Sequence, residues 1–177
     1  MDFELRPALG SGDHVTGPGH AIASIVEFGD YECPNCKQAA PVVKLLLGEF
    51  HGRLRFAFRH FPLEGVHRHA VGAALAAECA AAQGKFWAMH DLLFEHQHSL
   101  NPRQLRAHAE TLELDMARFN AEMVGTVHLQ RVREHQESGR VSGVRATPTF
   151  FLNGRLVDVS FGLQALRDRV KEICGPG

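Results

Sequence analysis

The sequence predicts an α/β fold in which an all-helical segment interrupts a mixed β-sheet. The first observation is an apolar strand segment, 21–28, that is followed by an amphipathic helix pattern to about Phe50. The second is the interval 66–141, which follows a helical period and shows no strand signal. The third is a pair of short apolar runs joined by Asn153-Gly154, a pattern typical of a β-hairpin. The predicted element order is therefore β-α-β, a helical block, and β-β-α.

Length and composition indicate one domain with a nearly balanced charge. The chain has 177 residues, 45% of them hydrophobic, and a formal net charge of -1. A balanced charge excludes the polybasic surface that binds nucleic acids or anionic membranes, so neither is an expected partner. The longest apolar stretch, Ala70–Ala82, contains Glu78 and is too short to cross a bilayer, so no membrane insertion is expected.

Residues 1–20 are predicted to form an irregular N-terminal arm, because the interval 10–20 contains four glycines and one proline. The arm has no continuous apolar stretch of the kind found in secretory signal peptides. We therefore expect a cytoplasmic protein, or a periplasmic one if a leader has been removed.

Residues 21–65 are predicted to form a β-α-β unit. The strand 21–28 is apolar on both faces apart from two polar positions, which indicates a central strand covered on each side. The next strand, 54–61, alternates large apolar and polar residues, so we expect it to be half-buried. Pro62 is expected to end it.

Residues 66–141 are predicted to form an inserted helical subdomain of four helices. The segments are an alanine-rich helix ending at Ala82, then 85–96, 103–112 and 116–140, separated by Gly84, Asn101-Pro102 and Asp115. Residues 142–177 are predicted to return to the sheet as the hairpin 149–152 and 155–157, followed by a last helix from near Ser160.

The motif Cys33-Pro34-Asn35-Cys36 lies where the first strand gives way to the helix. Unpaired backbone N–H groups and the helix macrodipole at a first turn favour a thiolate over a thiol. Cys33 is therefore the predicted attacking thiol, and Cys36 the resolving thiol. Pro34 suits a first turn because the N–H that it lacks would have no helical partner there. The motif thus predicts thiol-disulfide exchange.

Two other interpretations of this motif remain open. Cys33 and Cys36 could join a histidine to hold zinc or copper, although no second C-x-x-C follows them in the sequence. The chain could also be an interaction protein that keeps the fold for binding and has no catalytic thiol.

The element order and four motifs resemble those of DsbA-family thiol-disulfide oxidoreductases. The motifs are Ile25–Cys36, Arg59–Leu63, Gly84–Trp87 and Ala146–Phe150. The resemblance covers about residues 13–174 and implies a thioredoxin-like fold, with a mixed four-stranded sheet and an inserted helical subdomain. It implies an enzyme that exchanges disulfides with protein or peptide thiols and is reset by a cellular thiol reductant or oxidant. No dissociable cofactor and no metal are expected, because the electrons reside in the cysteine pair.

The resemblance also implies roles for residues that face the cysteines. Pro148, preceded by Thr147, matches the family's cis-proline, beside which an extended substrate segment pairs with the backbone. Pro34 and Asn35 are expected to contact the same substrate. Asn35 stands where the best-known member of the family has a histidine, so an imidazolium cannot stabilise the thiolate from that position. The direction of exchange is left open, although a reducing cytoplasm favours a reductase.

Glu27 lies six residues before Cys33, where thioredoxin-fold enzymes keep a buried acid beneath the disulfide. Burial of a carboxyl group raises its pKa into a range that suits proton exchange. The resemblance therefore implies that Glu27 is the catalytic group that exchanges a proton with Cys36.

The remaining cysteines and histidines are expected to have ordinary structural roles. Cys79 lies in an alanine-rich helix and is expected to be a buried structural residue, with an auxiliary redox role as the alternative. Cys174 is expected to be an exposed or half-exposed free thiol. The pairs His67/His69 and His96/His98 are two residues apart and cannot chelate a metal from one helical face. No role is assigned to His60.

Overall fold

A mixed β-sheet forms the centre of the structure, a computed structural model that describes residues 3–176. Its strands are β1 (His14–Thr16), β2 (Ala23–Gly29), β3 (Leu54–His60), β4 (Thr149–Leu152) and β5 (Arg155–Val157). In the described part of the chain the sheet has five strands in the order β1-β3-β2-β4-β5. β2 and β3 are parallel, and the other neighbouring pairs are antiparallel.

Seven helices in the described residues surround this sheet. They are α1 (Pro34–Glu49), α2 (Ala70–Ala81), α3 (Phe86–Glu95), α4 (Pro102–Thr111), α5 (Met116–Val124), α6 (Leu129–Val141) and α7 (Gln164–Cys174). The five helices α2 to α6 all lie between β3 and β4 in the chain, so the predicted helical insertion is present. The fold is the thioredoxin-like fold that the motifs imply, with helices inserted into it.

The prediction of an irregular N-terminal arm is wrong for residues 14–16, which form β1. His14 and Thr16 lie opposite Phe58 and Phe56 in an antiparallel ladder. β1 covers the edge of β3, whose backbone N–H and C=O groups would otherwise have no partner in the sheet. A strand of three residues between glycines is too short for its periodicity to be recognised. The sheet therefore has five strands rather than the four expected; residues 1 and 2 of the arm lie outside the described residues.

The prediction of a half-buried β3 is also wrong, because both faces of this strand are covered. Phe56 and Phe58 belong to the same core cluster as Leu46 of α1. Ala57 points the other way and packs in a second cluster with Phe61, against which α6 lies. The two clusters therefore cover both faces of β3, while β1 and β2 pair with its two edges.

The segment 116–140, predicted as one helix, is divided into α5 and α6. Thr126 between them has φ of 47°, which a right-handed helix does not accommodate. Gly125, the C-cap residue of α5, marks the break in the sequence, but both halves keep a helical period, so the period alone does not reveal it.

The hairpin of β4 and β5 is confirmed at its turn. Asn153 and Gly154 have φ of 48° and 81°, the positive values that a type I′ turn requires. The side chain of Asn153 accepts a hydrogen bond from the backbone N–H of Ser24 at 2.8 Å, which ties the turn to β2. The last helix begins at Gln164 rather than near Ser160.

Candidate active site

The two cysteines of the C-x-x-C motif lie at the junction of β2 and α1. Cys33 is the N-cap residue of α1, with extended backbone angles, and Pro34 occupies the first turn. Cys33 is 5% exposed and Cys36 is completely buried, whereas Pro34 and Asn35 are exposed. Both thiols are free in this structure. The geometry therefore presents Cys33 at the end of the helix and keeps Cys36 behind it.

The two thiols have opposite acidities. The pKa of Cys33 is lowered to about 5, chiefly because the Cys36 thiol donates a hydrogen bond to the sulfur. Burial opposes this change, while the backbone N–H groups of Asn35 and Cys36 support it. Burial raises the pKa of Cys36 far above its ordinary value, and the neighbouring Cys33 and Glu27 add to the rise. At neutral pH Cys33 is thus a thiolate and Cys36 a thiol.

The segment before β4 lies directly against Cys33. The Thr147–Pro148 peptide bond is cis, as the family resemblance implies. In its thiol form Cys33 donates a hydrogen bond to the Thr147 carbonyl oxygen, with the two atoms 3.3 Å apart. Pro148 is half-buried and lines an open cleft together with Asn35. Three of the residues that the resemblance assigns to substrate contact, Asn35, Thr147 and Pro148, therefore line one cleft beside the reactive sulfur, and Pro34 does not line it.

Glu27 lies in the interior of β2 and is 2% exposed. Burial raises its pKa to about 8, and the charge of Cys33 contributes to the rise. Its Oε1 atom has no hydrogen-bond partner within the described residues. A protonated, buried acid close to the two thiols agrees with the elevated pKa that is expected for this position.

Two residues that form hydrogen bonds at the motif were not predicted from the sequence. The Gln97 side-chain amide, between α3 and α4, donates to the carbonyl oxygens of Tyr31 and Cys33, at 2.9 Å each. Asp30 accepts hydrogen bonds from the backbone N–H of Leu63 and from Nδ1 of His67, both at 2.8 Å. Asp30 lies within the family motif Ile25–Cys36, which marks it as a candidate site residue. Nothing in the sequence around Gln97 indicates that it contacts Tyr31 and Cys33.

The histidine at the end of β3 belongs to a buried hydrogen-bonded cluster. Nε2 of His60 and Nε2 of His14 each lie 2.8 Å from Oε1 of Glu78. Burial opposes ionisation of Glu78, but its two histidine partners outweigh burial and hold the pKa below its ordinary range. The cluster joins β1, β3 and α2, so His60 stabilises the packing of the insertion on the sheet.

The other cysteines are placed as expected. Cys79 is completely buried in α2, and Cys174 is partly exposed at the end of α7. Two clusters of three side chains within residues 3–176 could hold a metal ion, and neither includes Cys33 or Cys36. This arrangement gives no support to a metal centre at the C-x-x-C motif.

Comparison with known proteins identifies the family. The family model described as thioredoxin matches residues 10–172. Among curated proteins, the chain is 46% identical over 154 residues to Na(+)/H(+) antiporter NhaA 1 of Salinispora arenicola. The matched region covers 87% of this chain and 24% of that protein. The chain thus spans about a quarter of the length of the curated relatives it matches.

Solved structures show the same fold over nearly the whole chain. BdbD from Bacillus subtilis has a TM-score of 0.83 at 23% identity, covering 92% of this chain and 93% of that one. A thioredoxin-like oxidoreductase from Silicibacter pomeroyi has a TM-score of 0.80 at 25% identity, covering 92% of each chain. The family match, the C-x-x-C geometry and this shared fold lead to one conclusion: the chain belongs to the thioredoxin family, with the inserted helices of its DsbA-like members.

Proposed function

We propose that the protein is a thiol-disulfide oxidoreductase that exchanges disulfides with protein or peptide thiols through Cys33 and Cys36. The observation that carries this proposal is geometric: Cys33 begins α1 beside the cis Thr147–Pro148 bond, and Cys36 is buried behind it. The opposite acidities of the two thiols agree with this arrangement. A thiolate at neutral pH is the nucleophile that disulfide exchange requires. The electrons reside in the cysteine pair, so the proposed reaction requires no dissociable cofactor.

The exchange proceeds through a mixed disulfide. The Cys33 thiolate attacks one sulfur of a substrate disulfide, and the other substrate sulfur leaves as a thiolate. Cys36 then gives up its proton and attacks the Cys33 sulfur, which releases the second substrate thiolate and forms the Cys33–Cys36 disulfide. The substrate is reduced and the enzyme is oxidised. The reverse sequence oxidises a dithiol substrate.

Glu27 is the proposed acceptor of the Cys36 proton. Its carboxyl group is buried and its pKa is raised to about 8, so near neutral pH it is mostly protonated and accepts the Cys36 proton through its ionised fraction. Thr147 and Pro148 position the substrate segment, with Asn35 lining the same cleft and Pro34 exposed next to it in the sequence.

The pH dependence of alkylation tests the reactive thiol. In the reduced Cys174→Ser variant, iodoacetamide should modify one thiol at a rate that is half-maximal near pH 5. The Cys33→Ser change should abolish that reaction, because Cys79 is completely buried. Half-maximal alkylation at about 8.5, the value of a free cysteine, would contradict the proposal. So would the absence of a Cys33–Cys36 disulfide after mild oxidation.

A trapping experiment tests the resolving thiol. Cys36→Ser should accumulate a stable mixed disulfide between Cys33 and a model peptide disulfide, since the second attack is impossible. Cys174→Ser is the matched control and should release the peptide as the unmodified protein does. A complex that fails to accumulate in Cys36→Ser excludes Cys36 as the resolving thiol.

The direction of exchange follows from the reduction potential of the pair. A potential near about -270 mV corresponds to a reductant, whereas about -120 mV corresponds to an oxidant of an oxidising compartment. Equilibration with glutathione measures this potential.

No helix within residues 3–176 is long and apolar enough to cross a membrane. The names of the curated relatives refer to ion transport, but the chain matches only about a quarter of their length, so we do not propose ion transport for it.

A further inference from the structure

The helical insertion contains a group of three metal-ligating side chains away from the C-x-x-C motif. Cys79 of α2, Glu122 of α5 and His128 at the start of α6 each offer one ligand atom, and these atoms all lie within 4.8 Å of one another. From this juxtaposition we propose that Cys79, Glu122 and His128 bind a zinc ion. The proposal is independent of the proposed redox function.

The packing of three segments creates the site. α2 and α5 lie against each other, which brings the Glu122 carboxylate to the Cys79 thiol. The turn 125–128 then reverses the chain through the positive φ of Thr126. This reversal returns Nε2 of His128 to within 2.9 Å of Oε2 of Glu122, six residues back in the sequence.

The donor set suits zinc better than the other common divalent cations. A thiolate, an imidazole and a carboxylate together are ligands that zinc accepts in tetrahedral sites, whereas magnesium and calcium prefer oxygen alone. Bonds of about 2.0 to 2.3 Å in a tetrahedron place ligand atoms about 3.5 Å apart. Ligand atoms that lie as far apart as 4.8 Å need to approach by roughly one ångström, whereas Nε2 of His128 and Oε2 of Glu122, which are 2.9 Å apart, need to separate by about half an ångström. Side-chain rotation supplies movements of this size.

The local charges also favour a divalent cation. The Glu122 carboxylate adjoins the Cys79 thiol, so a bound thiolate and this carboxylate would place two negative charges side by side. A zinc ion replaces the Cys79 proton, which leaves to solvent, and its two positive charges balance the thiolate and the carboxylate. Arg118 donates a hydrogen bond to Oε1 of Glu122 at 2.7 Å, so its positive charge offsets part of the carboxylate charge, while Oε2 lies 2.9 Å from Nε2 of His128.

Access to the site is one-sided. The side chains of Glu122 and His128 are 13% and 20% exposed, whereas Cys79 is completely buried. A metal ion therefore enters from the side on which Glu122 and His128 are exposed, and the Cys79 thiol is the innermost ligand. Three protein ligands leave a fourth position towards solvent for a water molecule.

Metal titration of the full chain tests the site. The Cys33→Ser/Cys36→Ser/Cys174→Ser variant removes every other cysteine, so only Cys79 can supply a thiolate. Equilibrium dialysis should show one zinc ion per chain that is no longer bound after Cys79→Ala, which distinguishes it from any ion held by His60, Glu78 and His135. Cobalt should bind at the same site with a thiolate-to-cobalt charge-transfer band in the near ultraviolet, a signature that requires a sulfur ligand.

Substitutions in this background identify the ligands. Adding Cys79→Ala should remove the charge-transfer band, and His128→Ala or the near-isosteric Glu122→Gln should weaken zinc binding at least about tenfold. His98→Ala, an exposed histidine elsewhere in the insertion, should leave the affinity unchanged. Circular dichroism establishes that each variant is folded. The proposal is overturned if no charge-transfer band forms, if the band survives Cys79→Ala, or if Glu122→Gln and His128→Ala bind zinc as the parent does.

Discussion

The side-chain amide of Gln97 lies 2.9 Å from the carbonyl oxygen of Cys33 and also donates to the carbonyl oxygen of Tyr31. Gln97 belongs to the helical insertion, and the two carbonyl groups flank the residue that precedes the reactive cysteine. These two hydrogen bonds hold the loop at the junction of β2 and α1 in place. The insertion therefore takes part in shaping the C-x-x-C motif as well as covering the sheet.

Gln97→Leu should lower the free energy of unfolding of the reduced protein by about 1 to 3 kcal/mol, because it removes both hydrogen bonds and leaves two carbonyl groups without this donor. Urea denaturation measures the change. Gln130→Leu is the matched control: Gln130 is exposed and bonds only to Glu134 in the same helix, so a loss below about 0.5 kcal/mol is expected. Equal losses in the two variants would show that the Gln97 contact does not stabilise the loop.

Glu27 should make the stability of the protein depend on pH. Its pKa is about 8 in the folded protein because of burial and the charge of Cys33, against an ordinary value of 4.5. Between these values the folded state keeps a proton that the unfolded state has lost. The stabilisation is therefore complete below pH 4.5 and is lost as the pH rises through 8.

Glu27→Gln cannot ionise and should not show this loss. The variant should resemble the unmodified protein near pH 4 and exceed its free energy of unfolding near pH 9, by up to roughly 5 kcal/mol. Urea denaturation at a series of pH values measures both curves. Glu95→Gln, at an exposed position, should follow the unmodified protein throughout. Parallel curves for Glu27→Gln and the unmodified protein would rule out a raised pKa at Glu27.

His67 should contribute stability that is greatest in acid. Burial opposes its protonation, but the hydrogen bond and charge of Asp30 outweigh burial and raise the pKa of His67 above its ordinary value of 6.5. The contribution is thus fully present below pH 6.5 and declines as the pH rises through the raised pKa. The difference in unfolding free energy between the unmodified protein and His67→Gln should shrink over that range. An unchanging difference, like that expected for the exposed His98→Gln, would contradict the ion pair.

Gly139 permits the close approach of α6 to the sheet. A Cβ atom at this position would lie 2.6 Å from ring atoms of Phe61 and 3.2 Å from Phe28. Gly139→Ala should therefore destabilise the protein by about 1 to 3 kcal/mol. Gly48→Ala in α1 is the control, because its Cβ would meet no atom within 4 Å, and the better helix former should add about 0.5 to 1 kcal/mol. Thermal denaturation compares the two, and a shift of the same sign in both would refute this account of the packing.

Local sequence patterns determined the elements that depend on neighbouring residues. The Asn153-Gly154 turn requires residues that tolerate positive φ, and the Cys33–Cys36 spacing places two thiols on one helical turn. The buried position of Glu27 followed from an apolar strand together with the family resemblance. Each of these features is set within a few residues, where backbone geometry and hydrophobic period act directly.

The tertiary structure decided what depends on segments far apart in the chain. β1 forms because β3 offers an edge some forty residues later, and β3 is buried because helices from both sides of it in sequence cover its two faces. Gln97 reaches the motif, and His60 reaches Glu78, only after the insertion has packed on the sheet. Such contacts leave no periodic signal, because each one is a single side chain meeting a group that the fold, rather than the neighbouring sequence, brings to it.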